Sequence, residues 1–161
     1  LIIGGQNATG TSMTEILFYH LTESKLEDAL PPLLEKSLER GWKVAVQTAT
    51  DERRDSLDVH LWTFRDDSFM PHGSDLSETA AEQPVLLTAS GENRNAANVR
   101  FIIDGAEPPL IDSYERVVFM FDGYDAAQLD GARAQWKKMK GEGHTLTYWQ
   151  QSPEGRWQKK A

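Results

Sequence analysis

Arg133, Trp136, Lys137 and Lys140 have the types and spacing to hold an anion beside an apolar group. On a helix of about 100° per residue, with Arg133 as origin, Lys140 falls about 20° to one side and Lys137 about 40° to the other. The three cations form one stripe, and Trp136, about 60° away, flanks it. Ala132 and Met139 continue round toward the side that would face a core. Trp136 thus stands on the seam between core and cations, where an indole can bury its ring and leave an edge exposed. A guanidinium and two ammonium groups beside such an edge suit a short peptide carrying carboxylates and one bulky apolar side chain. They would also suit single-stranded nucleic acid, with Trp136 as a stacking platform. The structural alternative is a tryptophan that anchors the helix to a sheet, next to cations that favour the helix C-terminus and face solvent.

A second patch runs Leu61-Trp62-Thr63-Phe64 and then Ser68-Phe69-Met70-Pro71-His72-Gly73. Apolar residues in such a polar loop either tuck back over the edge of the core or form an exposed anchor for a partner.

Catalytic signatures are missing. The sequence after Tyr19 is His20-Leu21-Thr22-Glu23-Ser24, not the glycine-rich turn that lets a backbone approach phosphate. No G-x-x-x-x-G-K-[ST] or G-x-S-x-G occurs. His20, His60, His72 and His144 lack the spacing of a metal site, apart from His20 with Glu23 in a turn, and read as surface or partly packed imidazoles. With no cysteine, disulfides, zinc thiolates and thiol catalysis are excluded. Nothing sets a nucleophile beside a base. The residues read as a non-catalytic protein needing no cofactor or metal, and a small nucleotide-binding module or enzyme is the competing reading.

Charge separates the chain into two parts. Its 161 residues carry a net charge of −8, but residues 1–124 hold 10 Lys and Arg against 21 Asp and Glu. Residues 125–161 hold 7 against 4. An acidic body argues against coating nucleic acid by bulk charge, and a net-basic C-terminal quarter points to a separate partner there. The length fits one domain with a full core, and no apolar run is long enough to span a bilayer. The lack of cysteine fits a reducing cytosol.

Residues 1–12 carry no charge and no periodicity, and are read as an expression-tag scar before a native start at Met13, with the domain covering 13–161. Beyond it, strands are expected at Ile16–Tyr19, Lys43–Gln47, Pro84–Thr88, Val99–Ile103, Arg116–Phe121 and His144–Trp149. A helix capped by Ser24, with Glu27 completing a capping box, should run to Gly41, kinked or delayed by Pro31 and Pro32. A second helix starts at Thr50 or Asp51 and places Leu57, His60, Leu61 and Trp62 near one side. A third runs from Asp125 to Lys140. Residues 66–83 read as loop and those from Ser152 as a polar tail. Unalternating apolar strands between helices predict an α/β sheet covered on both faces.

In order and spacing, these motifs resemble the chi subunit of bacterial DNA polymerase III, a clamp-loader accessory subunit. The likeness rests on Phe18-Tyr19, on Leu57, Leu61 and Trp62 leading into Ser68-Phe69-Met70-Pro71-His72-Gly73, and on Pro84-Val85-Leu86-Leu87. It continues through Phe121-Asp122-Gly123, Ala132-Arg133, Trp136-Lys137 and the closing Gly143-His144, Leu146 and Tyr148-Trp149. The resemblance implies a three-layer α/β/α Rossmann-like domain with a mostly parallel mixed sheet. It further implies a cytoplasmic, non-catalytic role in DNA replication, gripping the acidic C-terminal tail of single-stranded DNA-binding protein and meeting nucleic acid only indirectly. The tail site carries over to Arg133, Trp136, Lys137 and Lys140. Asp122 stands where the family can have an apolar residue, and Leu129 where it can have a lysine. A surface for the psi subunit, or another clamp-loader subunit, carries over to Trp62, Phe69, Met70 and Pro71.

Overall fold

A computed structural model of the chain describes residues 14–63 and 70–161. The leading segment 1–12, the start at Met13 and Phe69 lie outside the described residues. Eight strands form one sheet: β1 (Glu15–Leu21), β2 (Val44–Gln47), β3 (Gly73–Ser74), β4 (Val85–Thr88), β5 (Val99–Ile103), β6 (Arg116–Asp122), β7 (Thr145–Gln151) and β8 (Trp157–Lys159). Among the described residues, three α-helices accompany them: α1 (Leu26–Glu39), α2 (Asp51–Thr63) and α3 (Ala126–Gly141). The strand order is β3-β4-β2-β5-β6-β1-β7-β8, parallel throughout except for the antiparallel β7–β8 pair.

The apolar strands are buried on both faces, as parallel strands between helical layers must be. Leu17 and Leu21 of β1 join Leu30, Leu34, Leu57 and Leu61 of α1 and α2 in one cluster. Ile16 and Phe18, pointing the other way, join Ala132 and Met139 of α3 in a second. The result is the expected three-layer α/β/α domain.

Several elements differ from expectation for identifiable reasons. Lys25, not Ser24, precedes the first turn of α1, with no side-chain cap. Ser24 serves Gln151 instead: its hydroxyl accepts from the Gln151 amide at 2.9 Å, and its backbone N–H donates to Gln151 Oε1 at 3.0 Å. Pro31 and Pro32 lie inside α1 rather than ending it. Pro31 has no N–H to bond the carbonyl of Glu27, and His60 Nε2 of α2 approaches that oxygen at 2.8 Å. The neighbouring helix thereby satisfies the group that proline orphans. Thr50 caps α2, its Oγ1 accepting from Arg53 N at 3.1 Å. Strand β3 interrupts the supposed loop, and the supposed polar tail returns as β8.

Candidate functional site

Helix α3 lies across β1, β6 and β7, anchored by Ala132 and Met139. Asp125 starts it, accepting from Gln128 N at 3.0 Å. Strand register sets the surface beneath: Phe18 lies level with Phe119 and Tyr148, and His20 with Phe121. Trp136 packs edge-on against Phe18 at 5.3 Å and Tyr148 at 5.7 Å between ring centroids. An open groove of about 300 Å³ remains, lined by Phe121, Leu129, Ala132, Arg133, Trp136 and Tyr148, with Ala161 at its end.

Of the four cationic-site residues, the structure brings Arg133 and Trp136 together in this lining. Lys137 and Lys140 are exposed on the same side of α3 but outside the groove wall. Arg133 is 72% exposed and has only a loose contact with the equally open Asp130, at 3.8 Å. Exposed pairs of that kind contribute about 0–1 kcal/mol, which leaves the guanidinium available to an incoming anion. Leu129 extends the apolar wall. Asp122 lies beside the groove, its Oδ1 accepting from Tyr124 N at 2.8 Å, so its carboxylate is directed into its own turn.

Tyr148 in the groove lining pairs with His20 behind it, with 2.8 Å between His20 Nδ1 and the phenol oxygen. Burial, followed by the charge of Arg133, pulls the His20 pKa below its ordinary value, while Asp122 pushes the other way. Burial raises the Tyr148 pKa, with Arg133 opposing. The same guanidinium is therefore felt by both rings, placing a positive potential over a neutral aromatic floor. Gly123 permits this packing, since a Cβ there would run into the His20 ring and approach the Leu21 carbonyl at 3.0 Å. Phe121, His20 and Tyr148 escaped the sequence reading as site residues. They converge only through the β6-β1-β7 register, and the one local signal was the apolar face opposite Trp149 on the last strand.

The second patch divides. Met70 is 2% exposed and belongs to the core, so it supplies no surface anchor. Trp62 turns away from Leu57 and Leu61, is 49% exposed and rests on the His72 ring at 4.2 Å. Pro71 is exposed beside it.

At the carboxyl ends of the strands, where α/β folds commonly take ligands, the three N–H groups of Thr22, Glu23 and Ser24 converge on Gln151 Oε1 at 2.9–3.1 Å. Arg53 is held there between Glu27 at 3.0 Å and Asp104 at 2.7 Å. These donors are engaged within the protein. Among the described residues, no group of three or more His, Cys, Asp or Glu side chains is arranged to hold a metal, and no helix is long and apolar enough to cross a membrane.

Comparison with known proteins places this geometry in context. The family described as DNA polymerase III chi subunit, HolC, matches residues 13–147. A protein of Rickettsia prowazekii named "Probable DNA polymerase III subunit chi" is 26% identical over 154 residues, covering 91% of this chain and 92% of its own. The DNA polymerase III subunit chi of Pseudomonas aeruginosa is 30% identical over 108 residues, covering 65% of this chain and 75% of its own. With the match spanning the six strands β1–β6, the start of β7 and all three described helices, the chain belongs to the DNA polymerase III chi subunit family.

Proposed function

We propose that this chi-family protein is a non-catalytic adaptor that binds the acidic C-terminal tail of single-stranded DNA-binding protein in the α3 groove, linking the clamp loader to coated template in the cytoplasm. The observation that carries this reading is the pairing of an open, cation-edged helix face with an apolar groove at the same residues. Tail carboxylates meet Arg133 first, with Lys137 and Lys140 supplying a longer-range field along the exposed side of α3. A terminal apolar side chain enters between Trp136, Leu129 and Tyr148. The ion pairs are solvent-exposed and contribute little each, so the aromatic contact supplies most of the selectivity. Micromolar affinity, about −8 kcal/mol, fits such a small contact.

A psi-type partner would dock over Trp62 and Pro71. Calorimetric titration with an acidic peptide ending in an apolar residue tests the tail site. Arg133→Ala and Trp136→Ala should each weaken binding by about fivefold or more; Arg133→Ala should retain the melting temperature, and Trp136→Ala should stay folded at a lower one, since its ring packs on Phe18 and Tyr148. Unchanged affinity in both variants would remove the assignment.

A further inference from the structure

A second and larger groove, about 670 Å³, opens on the opposite face of the sheet between α1 and the β7–β8 hairpin. Its floor is apolar, formed by Leu33, Phe101 and Val118. Its walls are aromatic: Tyr19 stacks on Trp149 at 6.3 Å and meets Trp157 edge-on at 4.7 Å. All three rings remain partly exposed. The rim is cationic, with Lys36 and Arg40 exposed on α1 and Arg116 at the start of β6. Arg40 and Arg116 also hold Trp42 between them, 4.0 and 5.0 Å from its ring. Of the two nearby carboxylates, Glu15 is engaged by Arg116 at 2.6 Å, which leaves Glu39 as the opposing charge on the rim. Lys159 lies directly opposite Trp149 in the β7–β8 pair and so extends toward the same face.

Trp149 and Trp157 both belong to the β7–β8 hairpin. Partly exposed rings with cations spaced around them are the components of a single-strand nucleic-acid site: rings stack on bases and cations meet phosphates. The volume lies in the range of a ligand pocket and suits one or two nucleotides rather than a long track. We propose that this groove binds a short stretch of single-stranded nucleic acid. It does so independently of the α3 groove, and the net acidity of the chain limits it to a weak, local contact.

The test uses the full chain and fluorescein-labelled dT12 at low salt, read by anisotropy, with indole quenching as a second signal. Binding should show a log–log salt slope of about −2, as expected for Lys36, Arg40 and Lys159 at about 0.7 each on a single strand. Trp157→Ala should weaken it about tenfold, the scale of one lost base stack. Because Trp157→Ala could also loosen the hairpin, the surface double variant Lys36→Gln/Arg40→Gln provides an independent arm. It leaves the Tyr19, Trp149 and Trp157 packing intact and should flatten the slope. Arg133→Ala should leave dT12 binding unchanged. Absence of dT12 binding, binding undiminished by either groove variant, or displacement of dT12 by an acidic peptide even in Arg133→Ala would overturn the proposal. The last outcome would reassign the groove to a peptide.

Discussion

Replacing Gln151 by alanine is the sharpest test of how the first loop is held. Gln151 Oε1 accepts from the N–H groups of Thr22, Glu23 and Ser24 at 3.1, 2.9 and 3.0 Å, while its amide donates to Ser24 Oγ at 2.9 Å. The residue itself is 6% exposed. Each such bond contributes about 0.5–1.5 kcal/mol net, and more where loss strands a buried donor. Glu23 is exposed, so water can reach part of the loop, and the expected cost is about 2–3 kcal/mol rather than the upper limit. For a domain of this size, that is a fall of about 4–12 °C in melting temperature. Urea unfolding should show a lower midpoint at an unchanged slope. A companion variant, Gln151→Glu, keeps the acceptor and should hold most of the stability at neutral pH. Its carboxylate would accept three N–H bonds, so its folded pKa would lie below the unfolded value of about 4.3. That contribution is complete above the unfolded pKa and is lost as pH falls toward the folded one. A melting temperature for Gln151→Ala within about 1 °C of the parent protein would refute the reasoning.

Substitutions at three further positions probe the core and the α3 groove. Arg100 is fully buried with neutral acceptors only, Gln47, Tyr114 and the carbonyls of Ser90 and Glu92, and burial pulls its pKa down. Arg100→Ala should cost about 3 kcal/mol or more by urea titration, and Arg100→Lys should not restore it, because an ammonium lacks the planar fork. Arg133→Ala should move the His20 titration measured by NMR to higher pH, since Arg133 is one of the groups holding it down; an unmoved midpoint would show that this charge does not reach the groove floor. The native state takes up that proton less readily than the unfolded chain, so the His20 contribution is complete above about pH 6.5 and declines below it. Gly123→Ala should cost about 1–3 kcal/mol by displacing His20, and should weaken tail-peptide binding through Tyr148.

The parts of the fold visible in the sequence are those set by local pattern. Strands β1, β2, β4, β5 and β6 centre on apolar runs, broken in β5 by the buried Arg100, and α3 shows its cap, its core-facing Ala132 and Met139, and its cationic edge at helical spacing. Strand β8 was hidden because Trp157-Gln158-Lys159 is half polar and acquires its identity only by pairing with β7. The start of α1 was misread because Ser24 has the chemistry of a cap, yet its partner is Gln151, 127 residues away. The continuity of α1 through two prolines depends on His60 from another helix. For the site, Arg133 and Trp136 were legible as a stripe, whereas Phe121, His20 and Tyr148 come from three strands whose adjacency no local spacing encodes. Trp62 and Met70 sit close in sequence to the same loop, but packing exposes one and buries the other.

The central claim is that the α3 groove grips an acidic tail, and capture of single-stranded DNA-binding protein measures it most directly. Immobilised full chain is presented with intact single-stranded DNA-binding protein and with the same protein lacking its C-terminal tail. The account predicts retention of the intact protein, loss of retention without the tail, and loss again when Arg133→Ala/Trp136→Ala replaces the parent chain. Equal retention of the intact and truncated proteins, or full retention by the double variant, would contradict it.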